Sequence, residues 1–266
     1  MTVLKRYSHL YIQFLKNHLK MMIEYKLDFL IGMTSLFISQ GTAILFIGFV
    51  FNHIQQLNGW SFYEILFIFG IASCGRAIHQ VFFDNLWMIG ANYIRPGNFD
   101  RLMVRPVNPL FHLVADKVNQ DGFGQLLIGM IILTTAAMHI DLSFGVLEIL
   151  LLLLMVVSSG LIFVAINLIF ATLSFWMVDS MPIIFAVHSV SDFARYPITI
   201  YHTSIRFLLT WIVPYGFTAF YPSAYFIDHS GFQNTAIFTP LVAIVISVIA
   251  YLFWNRGLRS FESTGS

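Results

Sequence analysis

Long apolar stretches that contain few or no charged residues constrain this chain more than any other feature. The first, residues 29–51, has no Asp, Glu, Lys or Arg. A helix of roughly 20 apolar residues crosses the hydrocarbon core of a bilayer. Of the 266 residues, 58% are hydrophobic and 10% are charged, against about 25% charged in soluble domains. The sequence therefore predicts an all-α, polytopic membrane protein.

Other classes are excluded by charge and cysteine content. The formal net charge is +1, so the chain lacks the basic excess of a nucleic-acid binder. Cys74 is the single cysteine, so neither a disulfide framework nor a thiolate zinc site can form. The nine histidines are scattered without a His-Glu-x-x-His pattern, and we predict no metal site.

Six membrane-spanning helices are predicted. Asn58-Gly59 marks a turn before the second span, and Ser61 with Glu64 has the spacing of a capping box. A further apolar stretch, 203–222, is interrupted by Pro214 and Gly216, and is predicted to be an external re-entrant element. The predicted spans are residues 29–51, 61–83, 122–138, 145–178, 181–201 and 235–254.

The placement of basic residues favours six spans over seven. Lys and Arg in short loops favour the cytoplasmic side of a membrane. Eleven of the 14 basic residues precede the first span, lie between the second and third, or follow the last. Six spans place all eleven in the cytoplasm, whereas seven would place the carboxyl-terminal pair, Arg256 and Arg259, outside. We therefore expect both termini to be cytoplasmic.

Residues 1–26 are predicted to form an amphipathic helix at the membrane surface rather than a cleavable signal. Tyr7, Tyr11 and Phe14 alternate with basic residues such as Lys5 and Lys16, a pattern typical of interfacial helices. The helix either only anchors the chain or takes part in its mechanics.

The long polar segment 84–121 between the second and third spans carries the most specific motifs. Phe99, Leu102 and Met103 have helical spacing and would form one apolar face. Asn108-Pro109 is typical of a helix start. Such a short helix, bounded by prolines, either docks a soluble partner, packs beneath the membrane helices or lies on lipid head groups.

This segment resembles the type-2 ABC exporter permeases, specifically an uncharacterised bacterial branch of the family. The matching motifs are Arg-Pro-Gly at 95–97, Asp-Arg-Leu at 100–102, Arg-Pro at 105–106 and Pro-Leu-Phe at 109–111. A second similarity covers Tyr-Pro-Ile-Thr-Ile-Tyr at 196–201, Arg-Phe-Leu-Leu at 206–209 and Tyr-Pro at 221–222. The resemblance extends to the chain length and span count.

The resemblance implies a non-catalytic permease subunit in a bacterial cell membrane, working as one 1–266 domain. ATP and Mg²⁺ would bind a separate ABC ATPase present in two copies, and a second permease chain, identical or homologous, would complete the transporter. No Gly-x-x-x-x-Gly-Lys-[Ser/Thr] phosphate loop occurs in the sequence. The expected coupling residues are Arg95, Phe99, Asp100, Arg101, Leu102, Met103, Arg105 and Phe111.

Three charged residues within predicted spans are candidates for function, because charges are costly in hydrocarbon. Arg76, toward the inner end of the second span, either reaches lipid phosphates or contacts a partner or transport path. Asp192 and Arg195, three residues apart, share a helix face and either form a structural pair near the outer end or contact substrate.

Two other functions are weighed against an ATP-driven exporter. An intramembrane lipid-modifying enzyme requires acids or histidines clustered at one depth, and an ATP-independent secondary transporter commonly has inverted repeats. Neither pattern is evident in the sequence.

Overall fold

The computed structural model describes residues 3–24, 26–140, 142, 144–177, 179–227 and 231–262, and these residues are helical apart from turns and short connections. The α-helices are α1 Val3–Glu24, α2 Lys26–Phe51, α3 Phe62–Phe83, α4 Phe99–Met103, α5 Pro109–Ala115, α6 Asp121–His139, α7 Val146–Thr172, α8 Met181–Ser191, α9 Thr203–Phe207, α10 Phe220–Phe226, α11 Gln233–Ala236 and α12 Thr239–Arg259.

Within the described ranges, five helical stretches are long and apolar enough to cross a membrane. They are Lys26–Phe51, Phe62–Ile94, Asp121–His139, Val146–Phe175 and Gln233–Arg259. Each contains most of a predicted span, so the all-helical membrane class is confirmed. The predicted end of the fourth span, at Val178, lies outside the described residues.

We call the end of the bundle that holds residues 84–120 the basic end and the opposite end the far end. At the far end, Asn58 and Gly59 have φ angles of 53° and 88°, which a tight hairpin turn between α2 and α3 requires. The Ser61 backbone N–H donates to Glu64 Oε2 at 2.7 Å. Both the predicted turn and the predicted capping interaction at the start of α3 are confirmed.

Helix α3 lies at the centre of the bundle. Phe67, Phe69 and Ile71 are fully buried, and α6 and α7 pack on two sides of the helix. Close approach depends on glycine: a Cβ at Gly70 would lie 2.8 Å from Leu133 Cα of α6. In membranes, where lipid is as apolar as the side chains, such close van der Waals packing holds helices together. Helix α12 then packs on α7, while α2 touches the bundle more sparingly and leaves most of its surface exposed.

The predicted fifth span, residues 181–201, is not one continuous helix. Helix α8 continues into the 3₁₀ turn Asp192–Arg195, and a separate 3₁₀ turn, Ile198–Ile200, follows Pro197. Pro197 cannot donate a backbone hydrogen bond, and it disfavours helical geometry in Tyr196. Apolar composition alone did not reveal this interruption.

Residues 203–226 form two helical arms that meet at Pro214. The first arm combines α9 with the π-helical turn Leu208–Ile212, and the second contains α10. At the junction, Tyr215 is 1% exposed, and its ring lies 5.5 Å from Phe163, near the middle of α7. The two arms therefore meet deep in the bundle rather than at its surface.

We expect Gly70→Ala to destabilise the protein, because the added Cβ would collide with the backbone of Leu133. The matched control is Gly41→Ala in α2, where a Cβ meets nothing within 4 Å and alanine favours helix by about 1 kcal/mol. Thermal unfolding of both variants in detergent, followed by fluorescence-detected size exclusion, checks this. Equal or higher stability of Gly70→Ala would contradict the close packing of α3 on α6.

Candidate coupling surface and membrane-embedded charge cluster

The segment after α3 is held rigidly. It continues as a 3₁₀ turn, Asp84–Met88, and a π-helical turn, Ile89–Ile94. The predicted turn at 95–97 is present: Gly97 has φ 73°, and its N–H donates to the Ile94 carbonyl at 3.1 Å. Arg95 forms an ion pair with Asp179, which lies just before α8.

Helix α4 is anchored by two of the side chains predicted to dock a partner. Phe99 is fully buried and Leu102 is 4% exposed. The centroid of the Phe99 ring lies 5.2 Å from that of Phe175, just after α7, and 4.9 Å from that of Phe261, just after α12. The exposure that a docking face requires is therefore absent at Phe99 and Leu102, because the same apolar face of α4 packs inward on the bundle.

The outward side of α4 and the residues after it remain accessible. Met103 is 45% exposed and Val104 is 84% exposed, and Arg101 and Arg105 are exposed beside them. We call these four residues the outer surface of α4. Asp100 is only partly exposed, so it lies at the edge of this surface. The role of all these residues in coupling stays a prediction.

Helix α5 begins as predicted. The Asn108 side chain accepts hydrogen bonds from the Leu110 N–H at 2.9 Å and the Phe111 N–H at 3.3 Å. Phe111, predicted to couple to a partner, instead contacts α1: its ring lies 4.6 Å from Tyr7, edge to face. The Asn108 N–H also donates to the Tyr7 hydroxyl at 3.1 Å. The amino-terminal helix and the loop thus form one packed unit.

Hydrogen bonds tie this unit to the basic end of α3. Asn85 donates through Nδ2 to the Leu113 carbonyl at 2.8 Å and to the Tyr93 hydroxyl at 2.9 Å. Tyr93 in turn donates to Asp116 Oδ2 at 2.9 Å. These bonds connect α5 and the π-helical turn Ile89–Ile94 to the 3₁₀ turn that follows α3.

The second candidate site is a cluster of charges beside the middle of α3, in which the Asp192 side chain is 54% exposed. Arg76 of α3 donates through Nη1 to Asp192 Oδ1 at 2.9 Å and through Nη2 to Ser191 Oγ at 2.9 Å. Arg195 lies 3.4 Å from the same Asp192 oxygen, which confirms the predicted pair. The Arg195 guanidinium also lies over the Phe69 ring, 5.4 Å from its centroid.

Two predictions about these residues need correction. The Arg76 side chain is 11% exposed and reaches Asp192, not the membrane surface. Asp192 and Arg195 lie beside the middle of α3, not near the outer end, because α8 stops short of the far end. The pairing of Arg76 with Asp192 was missed, because 116 residues separate them and only opposite charge signals the contact.

Among the residues that the structure describes, no group of three or more His, Cys, Asp or Glu side chains could hold a metal ion.

A bundle of long apolar helices with a folded helical loop at its basic end is the architecture of a multi-pass membrane protein. The family described as ABC-2 family transporter protein matches residues 37–265, and the chain belongs to this family. The resemblance inferred from the loop motifs is thereby confirmed. No curated protein and no solved structure matches the chain.

We expect Phe99→Ala to lower the free energy of unfolding by about 3–5 kcal/mol, as for other buried phenylalanines. Met103→Ala, at an exposed neighbour in the same helix, should change it by less than about 0.5 kcal/mol. Chemical unfolding in detergent measures both. Equal effects would show that Phe99 is not the anchor of α4.

The loop should loosen at acidic pH through His112. Burial, reinforced by Arg105 and opposed by Asp116, lowers the pKa of His112 below 6.5. The folded loop therefore favours the neutral imidazole, and this stabilisation is lost as pH falls through the lowered pKa. Hydrogen–deuterium exchange of residues 105–116, corrected for intrinsic rates, should rise between pH 7.5 and 5.

The matched control is His112→Gln, which keeps a hydrogen-bond acceptor for Arg105 but does not titrate. The pH dependence of exchange should disappear in this variant. If it persisted, another group would be responsible.

Proposed function

We propose that the chain is the membrane-spanning permease subunit of an ATP-driven exporter and that an ABC ATPase subunit binds the outer surface of α4. The observation that carries the proposal is the construction of α4. Its inner side is buried against the bundle through Phe99 and Leu102, and its outer side presents Met103 and Val104 at the basic end.

The basic end faces the cytoplasm in this proposal, since basic residues are concentrated there. Six crossings follow if residues 181–200 cross as an interrupted helix. Contacts at both ends support this: Ser180 shares a hydrogen bond with Ser174 at the basic end, and Thr199 accepts one from Trp60 Nε1 at the far end. Both termini are then cytoplasmic.

The arms around Pro214 are then an external re-entrant element, formed by residues 203–222. Their junction at Tyr215 lies deep in the bundle. The arms are joined by a hydrogen bond of 3.2 Å between the hydroxyls of Thr210 and Tyr221. This pairing satisfies polar groups that hydrocarbon would leave without partners.

Coupling would proceed through the aromatic contacts behind α4. Phe99, Phe175, Trp254 and Phe261 pack edge to face, with ring centroids 4.9–6.4 Å apart. Close-packed side chains transmit strain rather than absorb it. Movement of the ATPase would therefore shift α4 together with the basic ends of α7 and α12.

The ATPase would supply the nucleotide site, with its ATP and Mg²⁺, and the complex would hold two copies of it. A second permease, identical to this chain or homologous, would complete the path. The family supports transport by the complex, and the resemblance of the loop motifs supports export from a bacterial cell.

Arg101→Glu combined with Met103→Asp should abolish co-purification of the ATPase with the tagged permease from native membranes. The double change reverses one charge and adds another on the outer surface of α4, but it leaves the buried anchors unaltered. ATP hydrolysis by the recovered complex should fall in parallel.

The control is Arg256→Glu, which reverses the charge of an exposed residue of α12 at the same end and should leave co-purification unchanged. All variants should insert into the membrane as the unmodified chain does. Full recovery and full ATPase activity of the double variant would refute docking at α4. Reproducible absence of any ATPase from the unmodified complex would refute the proposed function itself.

A further inference from the structure

One side of α3 is covered by neither α6 nor α7, and a cavity of about 490 Å³ lies there between α2, α3 and α8. Gln40 of α2, His79 of α3 and His188 of α8 are among its lining residues, together with Gln125 of α6. Most other surfaces of these helices are apolar, so the polar lining sets this side apart.

Several polar atoms in this lining are buried and have no hydrogen-bond partner among the residues that the structure describes. They are His79 Nε2, Gln40 Oε1 and Gln125 Nε2, although Gln40 Nε2 donates to Gln125 Oε1 at 2.7 Å. His79 is only 8% exposed. Burying an unpaired polar group is costly, so these atoms indicate a polar group that binds from outside the chain.

The charges in the cavity indicate the sign of that group. Arg76 and Arg195 share one carboxylate, that of Asp192, which leaves one positive charge in excess. Lys117 and Asp84, nearer the basic end, pair with each other at 3.0 Å. An uncompensated charge within a membrane bundle is expensive, and a single anion would balance it.

A second, apolar cavity of about 300 Å³ lies between α2 and α3 toward the far end. Phe46 of α2, Ile65 of α3 and Ile200 are among its lining residues, together with Tyr196. Arg195 lines the polar cavity and Tyr196 the apolar one, so one segment contributes to both. Along α3, Ile65 of the apolar cavity and Arg76 of the polar one are 11 residues apart, about 17 Å at 1.5 Å per residue.

We propose that this side of α3 binds an amphipathic molecule with one anionic head group, a phosphate or carboxylate, and a single short apolar chain. The head group lies at Arg76 and Arg195 within reach of His79, and the chain points toward the far end. A cavity of about 300 Å³ is at the lower limit for small-molecule sites, which fits one chain better than the two of a phospholipid.

The bound molecule would be the cargo of the proposed exporter. Its export rests on the proposed function, whereas its binding does not. Binding itself needs neither nucleotide nor ATPase. Absence of an ATPase would therefore refute the proposed function but not ligand binding. Absence of ligand binding would refute this inference but not the proposed function.

The test is binding of dodecyl phosphate to the purified chain in phosphatidylcholine nanodiscs, measured by native mass spectrometry. Dodecyl phosphate should bind more tightly than hexyl phosphate, and dodecanol and inorganic phosphate should bind at least about tenfold more weakly, because each lacks one half of the recognised structure. Equal binding of inorganic phosphate or dodecanol would overturn the proposal.

Four variants separate charge recognition from structural damage. Arg195→Gln should weaken binding at least about tenfold, whereas Arg195→Lys should retain most of it. Asp192→Asn disrupts the same ion pairs but increases the excess positive charge, so it should bind dodecyl phosphate more tightly. Arg256→Gln, outside the cavity, should bind normally. Equal affinity of Arg195→Gln and the unmodified chain, or weaker binding by Asp192→Asn, would overturn the assignment.

Occupation of this side of α3 by a membrane lipid or by a second copy of the chain would also overturn the proposal. If phosphatidylglycerol displaces dodecyl phosphate at equal concentration, the site holds a membrane lipid. Ser39 lies in the cavity wall. If the Ser39→Cys variant forms disulfide-linked dimers, and dodecyl phosphate does not lower the fraction of dimer, this side of α3 is an interface between two copies of the chain. Absence of both effects supports the proposal.

Discussion

The arrangement of this protein depends on the burial of α3. An apolar solvent provides no hydrophobic drive between helices, so close approach and van der Waals contact have to hold them together. Glycines meet this requirement: Gly70 of α3 faces Leu133 of α6, Gly129 of α6 faces Cys74 of α3, and Gly75 of α3 faces Ser159 of α7. With α3 fixed between two neighbours, its basic end becomes a stable platform for residues 84–120, and its remaining side becomes the wall of the polar cavity.

The basic end illustrates how a short helix acquires a defined position outside the membrane. A helix of five residues is far too short to be stable alone, and α4 is held by what lies behind it. Phe99 supplies aromatic contacts, the Arg95–Asp179 ion pair fixes the preceding turn, and α1 closes the assembly through Tyr7 and Phe111. In the proposed function, docking and anchoring therefore use opposite sides of one helix.

The sequence predicts features that depend on local chemistry and misses those that depend on distant contacts. The Asn58-Gly59 turn and the Asn108 cap follow from side chains within three residues of each other, and both are present. The apolar side of α4 was identified, but spacing alone could not tell whether Phe99 faces the bundle or a partner. The pairing of Arg76 with Asp192 arises from packing between elements that are remote in sequence. The break before Pro197 has a local cause, but apolar composition alone does not show it.

The sharing of Asp192 by two arginines has a mechanical consequence. Arg195 lies on the same segment as Asp192, whereas Arg76 belongs to α3. If α8 moves away from α3, the Asp192 carboxylate keeps its ion pair with Arg195 and stays compensated in hydrocarbon. Only Arg76 then loses its partner, so the free-energy cost of separation comes from Arg76 alone. The free-energy cost of separating α8 from α3 therefore depends on the anion that binds Arg76 in place of Asp192.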